Sequence, residues 1–97
     1  MATSAPRTVT FAIWGPIARD DMPGLRDRVC ALLERSGASV ALCDVAGVAA
    51  DAVTVDALAR LQLAARRHQC VIQLRGASIE LRDLVAFMGL ADVLTSP

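Results

Sequence analysis

The stretch that most constrains this chain is residues 39–45, SVALCDV. It is nearly continuous in apolar residues and has the length of a strand, the pattern of a strand buried on both faces. Such a strand belongs in a parallel sheet, whose neighbours are reached through helical crossovers. The flanking sequence supplies them. TVTFAIW, residues 8–14, carries β-branched and aromatic side chains in partial alternation and reads as a strand, broken by Gly15-Pro16. Asp20-Asp21-Met22-Pro23 is a helix start, with an acid available as cap and proline tolerated in the first turn. Leu25, Val29, Leu32 and Leu33 follow at helical spacing, so a helix is predicted over 22–36, with Gly37 as its C-terminal cap.

Further along, Asp51 caps a second helix, DAVTVDALARLQLAARR (51–67), whose Leu58, Leu61 and Ala65 share the core face. The Thr54 hydroxyl is expected to be satisfied in its first turn. CVIQL (70–74) is the next strand, and Gly76 turns the chain. Ser78 caps a third helix with Leu81, Leu84, Val85 and Met88 inward, Gly89 closes it, and ADVLTS (91–96) adds a short final strand. The alternation gives an α/β fold: a single sheet of about four to five strands with a parallel core, and about three helices. One domain is expected over 8–97, behind a flexible tail at 1–7. Periodicity leaves open whether helices cover one face of the sheet or both.

Composition excludes several functions. Ten acidic residues balance ten basic ones, all arginine, which argues against nucleic-acid binding by phosphate neutralisation and against a polybasic membrane anchor. No apolar run approaches the roughly 20 residues of a membrane helix, and MATSAPR lacks the features of a secretory signal, so a soluble cytoplasmic protein without membrane insertion is expected. Cys30, Cys43 and Cys70 are an odd set without C-x-x-C spacing, and read as reduced core thiols rather than a disulfide framework or zinc site. No G-x-x-x-x-G-K loop supports nucleotide binding. Asp44, Asp51 and Asp56 do not converge in the sequence-based reading, and His68 reads as a solvated helix-terminal residue. No catalytic residue, metal or cofactor is therefore expected.

VALCDVAGV (40–48), DAVTVDALARLQLAARR (51–67) and VIQLRGASIELRDLVAFMGLADVL (71–94), in that order and spacing, together with the Gly15 turn, resemble the STAS domain of anti-sigma factor antagonists. The resemblance spans most of the chain and is most specific in the C-terminal half. It implies a STAS-like fold and a regulatory protein that binds an anti-sigma factor or serine kinase through the loop and start of the second helix. In that family the kinase phosphorylates a serine in a D-S-S-G segment, and the added charge breaks the complex.

This chain departs from the pattern there. Aligning Asp51 with the motif aspartate keeps Leu58 and Leu61 in core positions; it sets Ala52 and Val53 on the serines and Thr54 on the glycine. Counting without a gap from Asp44 instead puts Thr54 on the phosphoacceptor. On the helix, Asp56, Arg60, Leu63 and Arg67 lie opposite the core face. Asp51, Thr54, Val55, Asp56, Ala59, Arg60, Leu63 and Arg67 are the expected partner-binding residues, with Leu63, Val55 and Ala59 as an apolar patch among charges. The alternative is a STAS subunit of a lipid-transporting ABC system bound to its ATPase. A homodimer paired through an exposed first strand is a further expectation.

Overall fold

The computed structural model describes residues 7–94. Three strands, β1 (Thr8–Gly15), β2 (Val40–Val48) and β3 (Val71–Arg75), form a parallel sheet in the order β1-β2-β3. They are joined by α1 (Met22–Ser36) and α2 (Ala52–Arg67), and followed by α3 (Ile79–Phe87). Because each strand is added on the same side of the last, right-handed crossovers must place α1 and α2 on one face of the sheet. The register confirms it. Val9, Ala41 and Ile72 form one row, and Phe11, Cys43 and Leu74 another. These rows, with Ile13 and Val45, join the buried side chains of all three helices in a single core.

The intervening rows, Thr8-Val40-Val71 and Thr10-Leu42-Gln73, are exposed or half-buried. Burial of β2 on both faces, expected from its apolar run, is therefore not met: Val40 and Leu42 lie on the open face. Apolar content here exceeds what the topology covers.

Local signals acted largely as the residues dictate. Gly37 adopts φ 61° as the C-cap of α1, and its N–H donates to the Leu33 carbonyl. Asp51 and Ser78 cap α2 and α3, accepting from the Thr54 and Leu81 amides at 2.8 and 3.1 Å. The acid expected to cap α1 does something else. Asp21 ends a 3₁₀ turn, Arg19–Asp21, and its carboxylate accepts the Ala18 N–H at 3.1 Å.

Against the four to five strands expected, the sheet has three among the described residues. The expected final strand, 91–96, is a turn over 91–94, and residues 95–97 lie outside the described part. The free edge of β3 explains this. Gln62, only 1% exposed, reaches down from α2: its Oε1 accepts the Ile72 N–H at 2.8 Å, and its Nε2 donates to the Ile72 and Val93 carbonyls at 2.8 and 3.0 Å. A side-chain amide thus occupies backbone groups that a fourth strand would use. Of the expected tail, 1–6 lie outside the described residues, while the Arg7 carbonyl accepts the Ser39 and Val40 amides.

Candidate functional site: the groove between α1 and α2

Placing both crossover helices on one face sets them side by side, and a groove of about 480 Å³ lies between them. Its α2 wall is a stripe at three- and four-residue spacing: Val53, Asp56, Ala57, Arg60, Leu63, Ala64 and Arg67. From Val53 to Arg67 this stripe runs about 21 Å along the helix at 1.5 Å per residue. The facing wall is Ile17 and Arg19 before α1, and Met22, Pro23 and Arg26 in its first turns.

Of the residues singled out from sequence, Asp56, Arg60, Leu63 and Arg67 come together on this groove. Leu63 is 57% exposed, an apolar side chain among charges. The Arg60 Nε–Asp56 Oδ2 pair closes at 2.9 Å one turn apart, an exposed pair worth at most about 0.5 kcal/mol. Arg19, Arg26 and Arg67 have no salt-bridge partner among the described residues.

The other four stand elsewhere. Asp51 is spent on the helix cap. Val55 is 0% exposed and belongs to the core, and Ala59 is half-buried against it, so neither extends the Leu63 patch. The helical angle accounts for this: Val55 and Ala59 share a face with Leu58 and Gln62, which turns to the sheet. Thr54 is also 0% exposed, and its Oγ1 has no hydrogen-bond partner among the described residues, contrary to the expected satisfaction in the first turn. The capping bond goes to its backbone N–H instead. The Thr54 hydroxyl lies beneath the surface of the fold.

Two features were missed from sequence. The α1 wall is one: Arg19 stands in the 3₁₀ turn before α1 and Arg26 in its first turns, so no single helical period joins them. Trp14, 76% exposed, is the other. The pairing of β1 with β2 shifts between Ala12 and Trp14, where the Asp44 carboxylate accepts the Ala46 N–H at 2.9 Å and β2 bulges. The indole lies over Gly47: a Cβ there would come 2.6 Å from Trp14 Cε3. The ring stands at the sheet end from which Ile17 enters the groove.

The chemistry available is that of a binding surface. Asp44, Asp51 and Asp56 are each engaged locally, on the Ala46 amide, the Thr54 amide and Arg60. Burial pushes the Cys43 thiol from 9.0 up to about 12, with the Asp44 carboxylate adding to the shift, so it stays protonated at neutral pH. His68 Nε2 lies 4.0 Å from Glu34 Oε1, joining the end of α2 to α1. Among the described residues no group of three or more His, Cys, Asp and Glu side chains is placed to hold a metal ion. No described helix is long and apolar enough to cross a membrane.

No protein-family model matches the chain, and no curated protein matches it. Solved structures do. The anti-sigma factor antagonist SpoIIAA in its unphosphorylated form superposes with a TM-score of 0.67 at 15% identity, covering 99% of this chain and 84% of that one. A sulfate transporter family protein from Wolinella succinogenes superposes at TM-score 0.67 and 21% identity, covering 94% and 75%. At these identities the likeness is one of fold, and the fold is the STAS-like one implied by the sequence.

Proposed function

We propose that this chain is a non-catalytic protein-binding domain of the anti-sigma factor antagonist type, acting in the cytoplasm on an anti-sigma factor or serine kinase. The observation that carries this reading is the α1–α2 groove, where Leu63 stands exposed among Asp56, Arg60 and Arg67. An apolar centre ringed by arginine suits a protein interface. The likeness in fold to SpoIIAA supports the choice of partner class. In this reading the usual switch is absent: Ala52 and Val53 occupy the serine positions, and Thr54 is sealed in the core. Binding is set by partner concentration and not by phosphate on this chain.

A second reading has support in the likeness to a sulfate transporter family protein. That likeness supports a transport-associated module only; the ATPase of a lipid-transporting ABC system is the partner implied by the sequence resemblance. Affinity capture on the immobilised protein separates the two: recovery of an anti-sigma factor or kinase sustains the first, and recovery of a transporter subunit replaces it. Light scattering tests whether the free edge of β1 pairs two copies.

A further inference from the structure

The groove has a charge bias that the whole chain does not. Of ten basic and ten acidic residues, four arginines but only one carboxylate line it: Arg19, Arg26, Arg60 and Arg67 against Asp56. Nearby Asp21 is turned onto the Ala18 amide. Arg60 is neutralised by Asp56, which leaves Arg19 and Arg26 on one wall and Arg67 at the foot of the other with no carboxylate partner among the described residues. Between them lie Ile17, Met22, Val53, Ala57, Leu63 and Ala64.

From this we infer that the groove receives an acidic amphipathic helix of a partner protein, a deeper specification that rests on the groove being the partner surface. Three geometric facts select a helix. Both walls are helical or lead into a helix. The α2 stripe alternates steps of three and four residues, the spacing at which a second helix seats its side chains. Its length of about 21 Å matches about four turns of a partner helix. The arginines set the sign of that helix, because planar guanidinium groups pair with carboxylates in a two-pronged geometry and tolerate partial burial better than ammonium groups. A bilayer is the poorer fit: the apolar side chains line a concavity rather than a ridge, and Asp56 sits where anionic headgroups would lie.

The test uses a fluorescein-labelled peptide of about 16 residues with Leu at three- and four-residue spacing and Glu on its flanks, read by anisotropy. Wild-type protein is expected to bind it saturably, and more weakly as salt rises from about 50 to 500 mM. The same peptide with Lys for Glu is expected not to bind. The double variant Arg26→Glu, Arg67→Glu, both surface changes, is expected to lose roughly tenfold or more in affinity for the acidic peptide and to gain binding to the Lys peptide. Circular dichroism of the variant verifies its fold. Failure of the acidic peptide to bind, equal binding of both peptides, indifference to charge reversal, or its displacement by anionic phosphatidylglycerol vesicles overturns the proposal. Measured against the natural partner, the two layers separate. If Leu63→Glu abolishes binding while the double variant retains it, the surface stands and the acidic helix falls; if neither matters, the surface itself falls.

Discussion

The Gln62 side chain brackets Ile72, accepting its N–H and donating to its carbonyl, both at 2.8 Å. One side chain of α2 thereby replaces a neighbouring strand at the edge of β3 and, through the Val93 carbonyl, anchors the turn after α3. Gln62→Leu keeps the approximate volume but strands buried backbone donors and acceptors, each costing about 1–3 kcal/mol. A loss of about 2–4 kcal/mol is expected in urea denaturation, with faster amide exchange at Ile72. Stability within about 0.5 kcal/mol of wild type removes Gln62 from this role.

Leu58 and Leu63 lie five residues apart on α2, with exposures of 1% and 57%. Leu58→Ala opens a cavity in the core and is expected to destabilise by about 2–5 kcal/mol, whereas Leu63→Ala changes stability by less than about 0.5 kcal/mol. Parallel chemical denaturation of the two variants checks the assignment of faces. Comparable losses contradict it.

Thr54 predicts a gain. Its buried Oγ1 has no partner among the described residues, so Thr54→Val removes an unsatisfied hydroxyl at nearly constant volume and is expected to stabilise by about 1 kcal/mol. Thr54→Asp, which forces a charge into the same space, is expected to unfold the domain. Incubation with a serine kinase and ATP is expected to leave residue 54 unlabelled by mass spectrometry; stoichiometric phosphate there contradicts the enclosed hydroxyl.

Cys43 sets an alkaline limit. Its folded pKa of about 12 lies above the ordinary 9.0, so the protonated thiol favours the folded state. The folded state keeps its proton where the unfolded chain has lost it, and stability contributed by this group is full below about pH 9 and declines as pH rises toward 12. The slope for one thiol is at most about 1.4 kcal/mol per pH unit. Burial raises Cys70 in the same direction. Denaturation midpoints between pH 8 and 11 (about the span of interest) are expected to fall less steeply in Cys43→Ala. A thiol-reactive dye at neutral pH is expected to label Cys30, half-buried, before Cys43 or Cys70; fast labelling of Cys43 contradicts its enclosure.

The order of the elements from β1 to α3, the α1 span, and the caps at Asp51, Ser78 and Gly37 were legible in the sequence, because each rests on contacts within a few residues. What was not legible depends on what the topology brings near. SVALCDV looks equally apolar whether one face of β2 is covered or two, and only the order β1-β2-β3 with right-handed crossovers settles which. ADVLTS has strand-like composition, yet Gln62 takes the edge it would need. On α2, Val55 and Leu63 differ by eight residues, and periodicity places Leu63 outward correctly; Val55 was grouped with it by proximity along the chain, and the helical turn carries it inward. The arginine wall of α1 escaped because a groove belongs to two helices, while sequence periodicity reads one at a time.

We propose that a protein partner binds the outer face of α2, where Leu63 stands exposed. Isothermal titration of the captured partner against Leu63→Glu and Leu63→Gln, with circular dichroism confirming unchanged folds, checks it at the exposed apolar centre of the groove. A rise in the dissociation constant of about tenfold or more in each, about 1.4 kcal/mol, is the predicted result. Wild-type affinity in both variants contradicts the account.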